Sequence, residues 1–339
     1  MEAVAVGLPR ESVWRAGRPV DIGRTLGVLV RGSGDPAHRV EADGTFWRAA
    51  LTPEGPATLA LRLAGRGEVA AAAWGPGAEW ALGGVPDLLG RWDDPSGFAP
   101  DHPLLRDAAR RYPGLRVPRT GLVFDALVPA VLEQKVTGRE AWRSWRDLVR
   151  RYGTPAPGTG APDSPVAGSA APGAVAGPVL AALEPASPVP RGLRVPPTAA
   201  DLLALPTWAW HRAGVDLRRQ RALRAAATVA DRLEECTALA PEAALARLRV
   251  VPGIGAWTAA EVAQRALGDA DAVSVGDYHI PSLVGRALAG APVDDDGMLA
   301  LLEPYRPHRH RVVRLVEVSG VGLPPRRGPR MAARDYRRI

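Results

Sequence analysis

The residues best placed to do chemistry lie in two short strings in the last third of the chain. The first is Leu248-Arg-Val-Val-Pro-Gly-Ile-Gly-Ala-Trp-Thr258. The second is Val275-Gly-Asp277-Tyr-His-Ile280, with its aspartate 20 residues beyond Trp257. Gly253 and Gly255 permit backbone angles closed to other residues and let a bulky ligand approach the main chain. A helix starting behind them aims free N–H groups and the positive end of its dipole outward, a suitable seat for phosphate oxygens. A bare Pro-Gly-x-Gly is also compatible with a plain turn between two helices. Asp277 precedes a segment of helical pattern, where aspartate is a favoured cap. A phosphate-holding loop joined to a fixed carboxylate points to chemistry on a nucleotide within DNA.

The longer string is more specific than the loop alone. Val251-Pro-Gly-Ile-Gly-Ala-Trp-Thr-Ala259 resembles the Leu-Pro-Gly-Ile-Gly-x-Trp-Thr-Ala string of the helix-hairpin-helix DNA glycosylase superfamily. Within it the alkylation-repair branch, 3-methyladenine DNA glycosylase II, is the most similar. Val128 to Thr137 resembles that family's Ile-Leu-x-Gln-Gln-Val-Ser helix end, and the Trp257-to-Asp277 spacing matches. The similarity covers most of the chain after residue 100 and is weak before it.

The resemblance implies a monofunctional DNA N-glycosylase of base-excision repair, hydrolysing the N-glycosidic bond of alkylated, 3-methyladenine-like bases. The target nucleotide must leave the duplex stack for its bond to be reached. Asp277 would stabilise positive charge on the sugar and orient the attacking water, as carboxylates do in sugar hydrolases. Trp257 occupies the place of the Schiff-base lysine of bifunctional members, and tryptophan cannot form an imine, so lyase activity is not expected. Trp257, Glu261, Tyr278 and Glu317 would border the base pocket, with Glu261 and Glu317 standing where aromatic residues are usual. Gln134, Lys135, Pro252, Gly253, Gly255 and Thr258 would meet DNA, with Lys135 where an apolar wedge is usual. Main-chain carbonyls of Arg249, Val251 and Ile254 would hold a structural Na⁺ or K⁺; no other cofactor is expected. A non-catalytic helix-hairpin-helix DNA-binding module, or a glycosylase for a deaminated or oxidised base, are the rival readings. Asp277 at its spacing discriminates against the first.

Composition is consistent with these expectations. The 339 residues carry a formal net charge of +7, which favours a polyanionic partner such as double-stranded DNA. Arginine bias is extreme: Lys135 is the only lysine among 43 basic residues. Cys236 is the single cysteine, so no disulfide framework or cysteine-ligated iron–sulfur cluster can be assembled within the chain. Neither a signal pattern nor a membrane-length apolar run is present. A soluble, cytoplasmic, nucleoid-associated monomer is expected.

The elements that would position these residues form an α+β pattern. Residues 1–100 read as an antiparallel sheet domain, with strands at Leu26–Arg31, Thr45–Leu51 and Ala57–Leu63 separated by turn-formers. Residues 101–323 read as an all-α glycosylase domain. Its expected helices are Pro103–Tyr112, one from Phe124, Glu140–Arg151, Ala199–Leu205 capped by Thr198, Arg218–Glu235, Glu242–Arg249, Trp257–Leu267, Tyr278–Leu288 and Arg309–Val318. A flexible Pro/Ala/Gly insertion at 154–197 interrupts this domain, and a basic tail follows at 324–339. Trp208 and Trp210 read as helix packing, Asp294 to Asp296 as a solvated loop and cap, and His308 and His310 as solvated or phosphate-facing.

Overall fold

The computed structural model describes residues 8–159 and 189–322. The centre of the insertion and the basic tail lie outside the described residues. The architecture is α+β, as the pattern implies. Two compact units form: the described residues of Met1–Pro86 with Trp145–Asp201, and those of Asp87–Ser144 with Leu202–Ile339. This grouping is discontinuous, whereas the sequence pattern suggests a serial division near residue 100.

The first unit is built on a five-stranded antiparallel sheet of order β1-β5-β4-β3-β2. The strands are β1 (Arg10–Arg15), β2 (His38–Val40), β3 (Phe46–Thr52), β4 (Gly55–Gly65) and β5 (Glu68–Trp74). β3 and β4 pair in the register Trp47↔Ala60 and Ala49↔Thr58, close to the expected strands. β5 is a run of alanines, Ala70 to Ala73, with no surface exposure on either side. A strand buried on both faces shows no alternation, so the sequence pattern does not reveal it.

The expected strand at Leu26–Arg31 is instead the helix Ile22–Leu26 followed by a 3₁₀ turn Gly27–Leu29. Asp21 caps that helix, accepting the Arg24 N–H at 2.8 Å, and Ile22, Leu26 and Leu29 turn inward at helical spacing. The ends of the insertion are ordered. Thr154–Pro155 pairs with Arg194–Val195, and Ala156, Val189, Leu193 and Val195 are buried with Trp47, Ala49 and Ala60. Buried Asp35 holds the connection before β2 by accepting from the Arg31 and Ala37 N–H groups and from the Trp145 indole.

The second unit is helical. The helix Val123–Leu132 is almost wholly buried and packs against Ala256–Val262, Leu217–Thr228 and Ala230–Glu234. Its first two N–H groups, on Val123 and Phe124, both donate to Glu234 at 2.8 Å. A side chain from another helix thus satisfies donors that the helix itself leaves open. A second core joins Pro103–Arg111, Ile280–Leu288, Asp295–Leu302 and Arg309–Ser319 through Leu105, Val284, Met298, Leu302, Val312 and Val316. The expected single helix Arg218–Glu235 breaks at Val229. Helices at Thr207–Arg212 and Asp295–Leu302 are additional, the latter capped by Asp294 as expected. Among the described residues, no helix is long and apolar enough to cross a membrane.

Candidate active site

The helix Pro241–Arg249 leads into the glycine loop, and Ala256–Val262 leaves it. Val251 and Ile254 are buried and pin the loop from below; Pro252, Gly253 and Gly255 are exposed at its tip. The Ile254 N–H donates to the Val251 carbonyl at 3.0 Å, closing the turn. The two glycines differ in their need. Gly253 has φ +90°, and a Cβ there would sit 2.7 Å from the Ala222 side chain; Gly255 has extended backbone and open space.

The turn after Val123–Leu132 is locked to this hairpin. The Gln134 amide donates to the Gly253 carbonyl at 3.0 Å and to the Thr258 hydroxyl at 2.8 Å. Buried Arg219 donates to the Leu132 carbonyl at 2.8 Å from the helix Leu217–Thr228. Lys135, directly after these anchors, is exposed and has φ +53°, the one non-glycine residue with positive φ among the described residues. Lysine pays about 1–2 kcal/mol for that conformation. Such strain persists where neighbours over-determine the backbone, and the Gln134 and Arg219 bonds supply that constraint. Lys135, Arg139 at the start of the next helix, and Arg218 and Arg221 on the helix Leu217–Thr228 are exposed, and among the described residues no carboxylate forms an ion pair with them.

Asp277 lies where a loop meets the helix Ile280–Leu288. Its Oδ1 accepts the N–H groups of His279 at 2.7 Å and Ile280 at 2.9 Å. Its Oδ2 accepts the Trp257 indole N–H at 2.9 Å. The capping role and the placement beside the hairpin therefore coexist. The helix begins at Ile280 rather than Tyr278, because Asp277 takes up the next two free N–H groups. Tyr278 is left 60% exposed, edge-on to the His279 ring.

Of the remaining expected pocket residues, Glu261 turns inward and Glu317 stays partly exposed. Glu261 is 7% exposed; its Oε1 accepts from Ser274 Oγ at 2.6 Å and its Oε2 pairs with Arg265 at 2.8 Å. Burial pushes the Glu261 carboxyl above its ordinary range, opposed by Arg265 and Ser274 and reinforced by Glu133 and Asp277. Burial works against the charge on Arg265, but Glu261, then Glu133 and Glu317, outweigh it and raise its pKa. Glu317 is itself paired with Arg314. Glu261 is thus bonded to a buried guanidinium instead of facing open space, while Glu317 adds charge near it and stays partly exposed beside Arg314.

Residues outside the sequence expectation complete the site. Gln264 donates to Ser274 Oγ and to the Ala272 carbonyl, each at 2.9 Å. Ser274 stands three residues before Asp277, and Gln264 shares a helix face with Trp257 and Glu261; both were visible as spacing, although their pairing was not. Elsewhere Trp210 is fully buried, as expected, whereas Trp208 is 63% exposed. His308 and His310 are buried and not solvated, since their helix lies in the core of the second unit.

No protein-family profile matches the sequence, and no curated protein matches it. Solved structures do. A 3-methyladenine DNA glycosylase from Archaeoglobus fulgidus superposes with TM-score 0.67 at 17% identity, covering 91% of this chain and 98% of that one. An 8-oxoguanine glycosylase/lyase from Clostridium acetobutylicum, in complex with double-stranded DNA containing cytosine opposite 8-oxoG, gives TM-score 0.64 at 12% identity, covering 92% and 96%. The fold is the one these two glycosylase structures share. The 3-methyladenine branch is among the neighbours that share it.

Proposed function

We propose that this chain is a DNA N-glycosylase of base-excision repair, removing alkylated purines without strand cleavage. One observation carries the proposal: the Asp277 carboxylate is fixed by three N–H donors, one of them an indole on the helix that leaves the glycine hairpin. Exposed hairpin N–H groups and the free cations of Lys135, Arg139, Arg218 and Arg221 suit a phosphate backbone, which such contacts position without reading sequence. A nucleotide extruded beside the hairpin would present its anomeric carbon to Asp277. As the glycosidic bond lengthens, electrons leave with the base and positive charge grows on the sugar. A carboxylate already oriented stabilises that charge without reorganising. It also holds the water that adds to the anomeric carbon and takes its proton.

The indole of Trp257 offers no amine and is already bonded to Asp277, which favours hydrolysis over imine formation. Alkylated bases are the favoured substrates because alkylation makes the base a better leaving group and leaves the pocket little to contribute beyond position. The main-chain carbonyls of Arg249, Val251 and Ile254 would be the ones to hold a Na⁺ or K⁺. Val251 accepts one N–H bond and retains a second lone pair. Bound there, the ion would stiffen the phosphate-gripping turn.

The test is release of free bases from duplexes carrying 3-methyladenine, 7-methylguanine, hypoxanthine, uracil or 8-oxoguanine. Asp277→Asn keeps the cap acceptor and loses the anion. Its single-turnover rate should fall by about a hundredfold or more, with DNA affinity retained. Release at the normal rate by this variant would remove the catalytic role. Binding without release from any duplex by the unaltered protein would favour the non-catalytic binding module.

A further inference from the structure

Three side chains of one helix face grip the segment that ends in Asp277. Trp257, Glu261 and Gln264 stand at i, i+4 and i+7, the spacing of a single stripe. Their partners run the opposite way along the facing loop. Trp257 donates to Asp277, Glu261 accepts from Ser274, and Gln264 donates to Ser274 and to the Ala272 carbonyl. Ser274 is the central rung: it is 2% exposed, accepts from Gln264 at 2.9 Å and donates to Glu261 at 2.6 Å. Its carbonyl in turn accepts the Asp277 N–H at 3.2 Å. The Asp277 backbone and carboxylate are thus tied to the same helix by two routes, one through Trp257 and one through Ser274 and Glu261.

We propose that Glu261 and Ser274 are positioning residues for Asp277: the Ser274–Glu261 hydrogen bond sets the height of the loop, and so the aim of the carboxylate, against the hairpin's second helix. A buried acid is costly in a core, and hydrophobic packing would serve a merely structural helix better. Here both Glu261 oxygens are committed, one to Arg265 on its own helix and one across to the loop. Glu133 and Asp277 add negative charge nearby, and Arg265 offsets it. The local helix also widens into a π-helical turn at Ala263–Leu267. That insertion is a feature frequent at functional sites, and it carries Gln264 and Arg265. The inference rests on the catalytic role given to Asp277 above, but the geometry it claims can be read without catalysis.

The experiment compares Ser274→Ala, Ser274→Thr and Glu261→Gln in the full chain. The Trp257 indole N–H resonance, assigned with Trp257→Phe, reports its bond to Asp277 in the absence of DNA. Ser274→Ala should move that resonance toward its position in Asp277→Ala. It should lower the single-turnover excision rate by about tenfold to a hundredfold, the cost of a small misplacement of a reacting group. DNA affinity should stay within about twofold. Ser274→Thr, which keeps the hydroxyl, should restore both readouts. Glu261→Gln retains an acceptor for Ser274 and should move the resonance less than Ser274→Ala does. An unmoved resonance with an unchanged rate in Ser274→Ala overturns the inference. Parallel loss of affinity and rate, with no rescue by threonine, also overturns it. If the resonance moves as expected while the unaltered protein excises nothing, the positioning stands and the catalytic reading of Asp277 fails.

Discussion

The indole nitrogen of Trp257 donates to Oδ2 of Asp277 at 2.9 Å, joining the helix that leaves the glycine hairpin to the carboxylate 20 residues further on. The bond fixes the oxygen that the two backbone donors leave unfixed. Trp257→Phe keeps much of the ring and deletes this donor. A hydrogen bond to a charged group contributes about 1.5–3 kcal/mol. Single-turnover base release should therefore fall by about tenfold to a hundredfold, with KM for duplex DNA little changed. A rise in KM with an unaltered maximal rate would instead make Trp257 a base-stacking residue.

The two hairpin glycines should respond unequally to alanine. Gly253→Ala puts a side chain at φ +90° and 2.7 Å from Ala222, so both backbone strain and a clash arise. The turn that Gln134 grips through the Gly253 carbonyl would shift. A loss of about 2 kcal/mol or more in unfolding free energy is expected, along with weaker DNA binding. Gly255→Ala meets open space on extended backbone and should cost less than about 1 kcal/mol. Urea unfolding of the two variants separates them.

Acid should weaken the first unit through Asp35. Burial opposes its ionisation, but the neighbouring His38 ring, the Trp145 indole and the Arg31 N–H outweigh that effect and bring its pKa from 3.8 to about 2. A carboxylate whose folded pKa is depressed stabilises the fold above its unfolded value and loses that contribution as pH falls through the folded one. The window is therefore about pH 4 down to about pH 2, and the contribution is about 2 kcal/mol. Asp35→Asn should lose this part of the pH dependence. At neutral pH it should be about 2 kcal/mol less stable, since the amide oxygen can still accept from Trp145 and Ala37 but the amide NH2 then faces the Arg31 N–H that Oδ2 had accepted. An unchanged denaturation midpoint at pH 6 would contradict that role.

The hairpin and Asp277 were legible in the sequence because their signals are local. Pro252, Gly253 and Gly255 punctuate two helical patterns, and a cap residue announces the next helix. β3 and β4 were legible through partial alternation between turn-formers. β5 was not, because alanines buried on both faces carry no period. The segment Leu26–Arg31 reads as a strand but is a helix end and a 3₁₀ turn, because so short an apolar run fits either period. The ends of the 154–197 insertion looked loose by composition, yet Val189, Leu193 and Val195 find a partner surface that only the folded sheet provides. Glu261 and Ser274 show the same limit within the site. Each residue type was readable, but the bond between them joins positions 13 apart and exists only once the loop has folded back.

Lys135 separates backbone strain from function in one position. Its φ of +53° suits glycine, so Lys135→Gly relieves strain while removing the amine. Strain relief of about 1–2 kcal/mol is partly offset by the greater unfolded freedom of glycine, about 0.5–1 kcal/mol. Stability should hold or rise slightly. Lys135→Ala keeps the strain and should be no more stable than the unaltered chain. Both variants should bind duplex DNA more weakly. If the amine contacts phosphate, the slope of affinity against salt concentration should fall by about one unit in both. An unchanged slope with lower excision would place the amine in the gap left by the extruded base instead. Equal affinity, slope and excision in all three proteins would leave the strained turn without a role in DNA recognition.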